Sequence, residues 1–294
     1  MTIAVGFFDG VHRGHQAILA GADCALTFEN HPLSLLAPER APRLIMPWRE
    51  KVQAIQELGV QVTALEFTEE IAKLSPAGFL ARLRGFAAGW AARYGLAVDP
   101  LVVRCGENWR FGKGGAGDAA WLAAQGVGVE VVPYAVYRGE PISSTRIRRA
   151  IEAGAMEDAA AMLGRPFAVR GTVAAGKRLG RTIGYPTINL TLGGGEAAAG
   201  ALRPPLGVYA VRSLGVRGVA NYGYAPTAGE SAWREPVLEI HCLEGARPEV
   251  AEGAELPVVL LRYLRGERRF ASLDELGRQI ARDCAEALAV SDPM

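Results

Sequence analysis

The sequence has little that would point to a nucleic-acid, membrane or extracellular role. Its 32 Lys and Arg residues nearly match its 31 Asp and Glu residues, giving a formal net charge of +1. Such a balance gives no electrostatic argument for a nucleic-acid or membrane partner, and we expect neither. The four cysteines, at positions 24, 105, 242 and 284, form no CxxC or Cys/His ligand spacing, which argues against a zinc site or a disulfide framework. We therefore expect reduced thiols and a cytoplasmic location.

Long uninterrupted apolar runs are also missing. Residues 1–8 are too few for the apolar region of a signal peptide, and they run directly into Asp9. The longest helix pattern, Pro76–Tyr94, is interrupted by three arginines. We expect neither an export signal nor a membrane-spanning helix.

The length of the chain and its changing composition predict two domains. The 294 residues exceed a typical domain of roughly 100–150 residues. Up to about residue 164, β-branched runs predict strands at 3–7, 25–28, 62–67, 101–105 and 129–134, with helix patterns between them at 15–22, 48–58, 76–94 and 118–125. This alternation predicts a Rossmann-like α/β domain over residues 1–164, with helices on both faces of a parallel sheet.

After residue 164 glycine and proline become frequent and helix patterns are lost. Strand patterns at 168–174, 207–211, 216–220, 237–243 and 257–263 predict an antiparallel barrel or sandwich. Ser272 and Glu275 have the spacing of a capping box before a final helix. We predict a β-barrel domain with a C-terminal helix over 165–294, and a flexible loop at the glycine-rich residues 193–200.

The segment GFFDGVHRGH, at residues 6–15, follows the first predicted strand and opens the first helix. Backbone N–H groups at such a turn favour an anion. His12 and His15 lie three residues apart with Gly14 between them, so both rings can face one side and stabilise charge on an α-phosphate. A lone histidine would more simply be a cap or a core residue, but the pair at this turn favours a functional role.

Two later segments add candidate phosphate and base contacts. In ISSTRIR, at residues 142–148, Ser144 or Thr145 can cap a helix that runs to Glu152, which brings hydroxyls, amides and Arg148 to one helix end. This suits a leaving pyrophosphate, although a plain cap is the alternative. The glycine-rich segment 106–118 falls beyond the fourth strand, where open α/β sheets bind ligands, so that Asn108 can contact base or phosphate.

The C-terminal half has its own phosphate-binding pattern in residues 176–189, GKRLGRTIGYPTIN. Its glycines let backbone amides reach phosphate oxygens, and Lys177 supplies charge. Thr187 and Asn189 present neutral oxygens on one face of a strand, which is sufficient for Mg²⁺ because this ion keeps several waters. In the strand pattern 237–243, Glu239 lies opposite the apolar face, where a carboxylate can accept a proton from a hydroxyl; a solvated glutamate is the simpler interpretation from the sequence alone.

In combination, GFFDGVHRGH, TFENHP, GENWRFGKG and ISSTRIR resemble the nucleotidylyltransferase superfamily, and in particular the prokaryotic bifunctional riboflavin kinase/FMN adenylyltransferases, also called FAD synthetases. The resemblance covers nearly the whole chain. In riboflavin kinases a PTxN motif carries the Mg²⁺ and nucleotide contacts, and it is matched by Pro186, Thr187 and Asn189. The family's catalytic base lies in an LExH strand and is matched by Glu239. The sequence departs from the family at Ala225, where an arginine commonly precedes a proline.

The resemblance implies two ATP-dependent steps in flavin metabolism, with riboflavin, FMN, FAD and ATP as ligands. The barrel would phosphorylate riboflavin to FMN, and the N-terminal domain would adenylylate FMN to FAD with release of pyrophosphate. The expected catalytic residues are His12, His15, Arg148 and Glu239. The expected ATP site of the adenylyltransferase comprises Gly6, Phe7, Asp9, His12, His15, Asn108, Ser144, Thr145 and Arg148. The expected kinase nucleotide site comprises Gly176, Lys177, Gly180, Thr187 and Asn189, the last two also as Mg²⁺ ligands.

Three alternatives stay open at this point. A cytidylyl- or pantetheine-type nucleotidyltransferase with an unrelated β-domain would share the N-terminal motif, but not GRTIGYPTIN. An FMN adenylyltransferase whose barrel only binds flavin or regulates would be consistent with Ala225. A tRNA synthetase is disfavoured because no KMSKS-like run follows the histidine motif. The sequence leaves the oligomeric state open.

Overall fold

The computed structural model describes residues 1–175, 185–192, 200–224, 235–244 and 248–291. These residues form two compact units. The first comprises Met1–Ser144 with Gly200–Leu202, and the second begins at Thr145 and comprises the other described residues. Within the described ranges, no helix is long and apolar enough to cross a membrane.

The first unit contains a five-stranded parallel sheet in the order β3-β2-β1-β4-β5. Its strands are β1 Thr2–Val5, β2 Cys24–Phe28, β3 Gln61–Leu65, β4 Val102–Gly106 and β5 Gly128–Val132. Its helices are α1 Arg13–Leu19, α2 Pro32–Leu36, α3 Trp48–Gln56, α4 Glu69–Lys73, α5 Pro76–Tyr94 and α6 Ala119–Ala124. A small two-stranded sheet consists of β6 Val136–Tyr137 and β7 Glu140–Pro141. Because β1 pairs with both β2 and β4, the turn after β1 lies at the centre of the sheet's carboxyl edge.

Helices cover both faces of this sheet, as the sequence predicts. On one face, α5 packs Leu83 and Trp90 into a core with Ile3 and Val5 of β1. On the other face, α1 and α3 contribute to a second core that contains Ala4. Alternate residues of β1 thus point into different cores, which is the pattern of a strand buried on both sides.

The second unit contains a closed antiparallel barrel with the strand order β10-β11-β12-β9-β8-β13. The strands are β8 Phe167–Ala174, β9 Thr187–Thr191, β10 Gly207–Ser213, β11 Val216–Gly223, β12 Val237–Cys242 and β13 Glu255–Arg265. The structure therefore selects the barrel over the sandwich. It gives the bounds of a further strand, β9, which carries Thr187 and Asn189 at the predicted strand spacing. Three helices accompany the barrel strands along the chain: α7 Ser144–Glu152, α8 Met156–Leu163 and α9 Leu273–Ala289.

The C-terminal helix α9 is fixed to the barrel by a cap and a buried ion pair. Ser272 accepts a hydrogen bond from the Glu275 N–H at 3.2 Å, and Glu275 accepts one from the Ala271 N–H at 2.9 Å. Asp283 is only 3% exposed and pairs with Arg265 at the end of β13, at 2.7 Å. The predicted capping box and C-terminal helix are thus confirmed.

Candidate active sites

The turn between β1 and α1 places His12 and His15 side by side. His12 is the N-cap of α1, and its Nδ1 accepts a hydrogen bond from the His15 N–H at 3.2 Å. The two rings are stacked, with centroids 3.5 Å apart and planes 18° apart. A Cβ at Gly14 would lie 3.2 Å from the His12 ring, so the glycine leaves room for the pair. His12 therefore acts as a cap and also supports the second histidine.

The His15 ring has a lowered pKa and one nitrogen without a hydrogen bond in the described part of the chain. Burial, followed by the charges of His12 and Lys51, lowers the pKa of His15 well below its usual value. Its Nδ1 is buried and has no hydrogen-bond partner among the described residues. An unpaired buried nitrogen is costly unless a ligand completes it, which makes this turn the strongest candidate ligand site in the first unit.

The backbone of the turn is strained and firmly held. Phe8 and Val11 adopt positive φ angles of 54° and 42°, which non-glycine residues rarely do. The buried Asp9 carboxylate accepts hydrogen bonds from the Ile45 N–H at 3.0 and 3.1 Å. Ser144 donates from its hydroxyl to the Asp9 carbonyl at 3.0 Å. These contacts set the turn in place from two distant parts of the chain.

Gly6 and Phe7 shape the beginning of the same turn. A Cβ at Gly6 would come within 2.7 Å of the Phe8 ring, so only glycine fits there without a rearrangement. The Phe7 ring packs edge-on against His31, with centroids 4.7 Å apart. The structure therefore brings Gly6, Phe7, Asp9, His12 and His15 together in one turn.

Lys51 lies beneath this turn and was not among the predicted site residues. It is 2% exposed, and its Nζ donates to the Phe7 carbonyl at 2.9 Å and to the Phe28 carbonyl at 2.6 Å. The ammonium also lies 3.9 Å from the centre of the Phe7 ring. The sequence carried one signal, because Lys51 shares the buried face of α3 with Ile55, one turn later.

The remaining predicted adenylyltransferase residues lie in two places. Ser144 is the first residue of α7. Its hydroxyl donates to the backbone carbonyl of Asp9, so this side chain helps to hold the turn. Thr145 and Arg148 follow it in α7 and belong to the second compact unit. Asn108 lies exposed in the turn after β4. The parts of Thr145, Arg148 and Asn108 in ATP binding stay predictions.

Three polar residues form a row across neighbouring barrel strands. Glu239 of β12 is in register with Asn189 of β9 on one side and with Asn221 of β11 on the other. Leu238 and Ile240, on the opposite face of β12, are 1% and 2% exposed. The predicted alternation of faces around Glu239 is thus correct.

The row joins a candidate base to candidate metal ligands. Burial raises the pKa of Glu239 above its usual value. Asn189 is 9% exposed, and its buried Oδ1 has no hydrogen-bond partner among the described residues. Thr187, two residues earlier on β9, lies on the same face. Neutral oxygens of this kind fit Mg²⁺, so the donor set agrees with the predicted metal site.

The ends of this barrel site lie only partly in the described residues. His241 is in register with Thr187, and its Nδ1 is 3.0 Å from the Pro186 carbonyl oxygen, which fixes the start of β9 against β12. Several predicted features lie outside the described residues. They are the nucleotide contacts Gly176, Lys177 and Gly180, the altered position Ala225, and residues 193–199 of the predicted loop.

Two family models match the chain, one for each half. A model described as FAD synthetase matches residues 1–146, and a model described as riboflavin kinase matches residues 163–291. A solved structure described as a macrolide-efflux protein from Streptococcus pneumoniae has the same fold, with a TM-score of 0.81 and 27% identity, over 99% of this chain and 94% of that chain.

Relatives match over nearly their whole length. The chain is 37% identical over 302 residues to a bifunctional riboflavin kinase/FMN adenylyltransferase of Escherichia coli (strain K12), covering 96% of this chain and 90% of that protein. A protein of the same name from Bacillus subtilis (strain 168) is 32% identical, with coverage of 98% and 91%. These findings confirm the predicted family and enzyme class and do not favour an inactive barrel. The chain belongs to the family of bifunctional riboflavin kinase/FMN adenylyltransferases.

Proposed function

We propose that the turn after β1 is the site at which FMN is adenylylated. The observation that carries this proposal is the stacked pair of His12 and His15, with a neutral ring whose buried Nδ1 has no partner among the described residues. An oxygen of the FMN phosphate attacks the α-phosphorus of ATP, the bond to the bridging oxygen of the β-phosphate breaks, and pyrophosphate leaves with that electron pair. No covalent enzyme intermediate is required.

The two histidines stabilise charge in this step and transfer no proton. Negative charge builds on the α-phosphate oxygens as the attacking oxygen approaches, and a preorganised donor there is worth about 10²–10³ in rate. The low pKa of His15 suits this role, because the ring keeps one N–H donor across the neutral pH range. We propose further contacts to the base and the phosphates of ATP, in addition to those of Gly6, Phe7 and Asp9. They are Asn108, Ser144, Thr145 and Arg148.

In the barrel, Glu239 is the proposed base for riboflavin phosphorylation. Its carboxylate takes the proton of the 5′-hydroxyl as that oxygen attacks the γ-phosphorus of ATP, and ADP leaves. The raised pKa of Glu239 supports this role, because a stronger base is better matched to an alcohol proton. Asn189 and Asn221, in register on either side, limit the positions that the carboxylate can take.

Thr187 and Asn189 are the proposed ligands of Mg²⁺ bound with ATP. The Oδ1 of Asn189, which has no partner among the described residues, supports the assignment, since a hard cation takes such an oxygen without a change in protonation. When bound, Mg²⁺ supplies positive charge next to the phosphates. Gly176, Lys177 and Gly180 are proposed as further nucleotide contacts in the kinase.

The domain limits 1–164 and 165–294 are part of the same proposal. The range matched by the riboflavin kinase model begins at residue 163, close to the proposed limit, whereas the compact units divide between Ser144 and Thr145. The proposed small-molecule partners are riboflavin, FMN, FAD and ATP, and the cytoplasmic location stays a prediction.

One assay tests both activities of the wild-type protein. Riboflavin, ATP and Mg²⁺ are expected to give FMN first and then FAD, while supplied FMN and ATP give FAD and pyrophosphate. A matched reaction with EDTA is expected to stop phosphorylation. FAD from FMN without any FMN from riboflavin would show an inactive barrel and would direct attention to Ala225, for which Ala225→Arg is the direct test.

A further inference from the structure

A fully buried lysine ties two strand ends together directly under the histidine turn. The Lys51 ammonium donates to the Phe7 carbonyl, just after β1, and to the Phe28 carbonyl at the end of β2. Thr27 donates to the same Phe7 carbonyl at 2.9 Å. Burying an ammonium is costly, and the two carbonyls offset part of that cost by accepting its hydrogen bonds.

The carbonyl that Lys51 fixes belongs to the strained part of the turn. A trans peptide group points its C=O and its N–H in opposite directions. Holding the Phe7 carbonyl on the ammonium therefore directs the Phe8 N–H away from it, and Phe8 is the first residue of the turn with positive φ. The Phe8 ring in turn packs edge-on against His15, with centroids 5.3 Å apart.

We propose that Lys51 is a positioning residue for adenylyl transfer, which sets the turn that carries His12 and His15 by fixing the backbone at Phe7 and Phe28. It does not touch the reacting atoms. The proposal rests on the role given above to the histidine pair.

Charges around Lys51 give the proposal a measurable signature. The ammonium faces the carboxylates of Asp9 and Glu29, and burial outweighs them to lower the pKa of Lys51 to about 8. Its positive charge in turn adds to burial and His12 in lowering the pKa of His15. Replacing Lys51 by a neutral side chain of similar size must therefore raise the pKa of His15.

The experiment compares Lys51→Met with Lys51→Arg, using FAD formation from supplied FMN and ATP. Lys51→Met is expected to lower kcat by about 10²-fold, the usual effect of a small misplacement of catalytic groups. The acid limb of its pH profile should move to higher pH, because His15 becomes protonated more easily. Lys51→Arg keeps the charge and should keep the acid limb of the wild type.

Two controls separate positioning from loss of stability. Ile55→Val removes one buried methylene from the same face of α3 and should leave kcat and the pH profile unchanged. The urea midpoint for loss of FAD formation in each variant reports on the stability of the first unit, while riboflavin phosphorylation reports only on the barrel. The proposal fails if Lys51→Met keeps the wild-type kcat, or if its acid limb does not move. A fully active His15→Ala variant, measured in parallel, would instead contradict the role of the histidine pair.

Discussion

Single residues in this protein make structural contacts in addition to the catalytic roles that we propose for them. His12 caps α1 and supports the His15 ring, so its removal disturbs both. His15 accepts no hydrogen bond at Nδ1 from the described residues, so its side chain contributes less to the fold. The two histidines can therefore be separated experimentally, although their rings are in contact.

We expect His15→Ala to reduce FAD formation from FMN by about 10²–10³-fold, because one preorganised donor is lost. Its unfolding midpoint should stay close to that of the wild type. His12→Ala should also lose activity, and should be destabilised by about 1 kcal/mol through the lost cap. Steady-state kinetics and urea unfolding measure the two effects. Equal loss of riboflavin phosphorylation in folded His15→Ala would contradict two separate sites.

Glu239→Gln keeps the shape of the side chain and removes the proposed base. We expect FMN formation from riboflavin to fall by about 10²–10⁴-fold, the usual contribution of general-base catalysis, while adenylylation of supplied FMN stays normal. Glu244→Gln is the matched control, because Glu244 lies exposed just after β12. Wild-type phosphorylation by Glu239→Gln would identify this carboxylate as an ordinary strand residue.

Among the secondary-structure elements, helices α5 and α9 have termini that are fixed by capping residues. Ser75 accepts a hydrogen bond from the Gly78 N–H at 3.1 Å, and Gly95 ends α5 with a φ of 68°. At the other end of the chain, Ser272 caps α9, whose Asp283 binds the end of β13. The cap at Ser272 thus holds the helix that carries this ion pair.

We expect Ser272→Ala to destabilise the barrel by about 0.5–2 kcal/mol, because α9 loses its N-cap acceptor. The measurement is the urea midpoint for loss of riboflavin phosphorylation. Ser291→Ala, at an exposed serine just beyond α9, should shift stability by less than about 0.5 kcal/mol. An unchanged midpoint in Ser272→Ala would show that the capping box contributes nothing to the barrel.

The same elements show what the sequence could predict and what it could not. The bounds of α5 agree with the prediction, because Ser75, Pro76 and Gly95 are local signals that act on their own neighbours. For β9 the sequence predicted the strand spacing of Thr187 and Asn189 but no bounds, because the glycines and the proline just before it favour a loop. The five-residue helices α2 and α4 are too short to show a helical period.

Site residues follow the same division between local and distant signals. His12 and His15 were predicted from their spacing, which a short motif preserves. Lys51 escaped prediction because its partners Phe7 and Phe28 are 44 and 23 residues away, and no local pattern records such contacts. Asp9 lay within the motif, yet its bonds to Ile45 depend on where a distant loop returns.

At the scale of the whole molecule, each proposed reaction draws its candidate base or histidine pair from one unit. We therefore expect His15→Ala and Glu239→Gln to complement each other when mixed with riboflavin, ATP and Mg²⁺. The first variant supplies FMN to the solution, and the second converts it to FAD. Chromatography of the products measures the outcome. Absence of FAD in the mixture, with each single activity intact, would show that FMN does not pass through solution.

The closure of the barrel affects which part of the protein is prone to aggregate. β13 pairs with β10 and closes the barrel, so the described barrel strands include no unpaired edge strand to which another chain could add. The parallel sheet has two edge strands, β3 and β5, and Val131 on β5 is 48% exposed. Intermolecular strand addition begins at such edge strands, because their backbone N–H and C=O groups are unpaired on one side. In stored or warmed samples, aggregates should therefore grow from the first unit, and the capacity to make FAD should disappear before the capacity to make FMN.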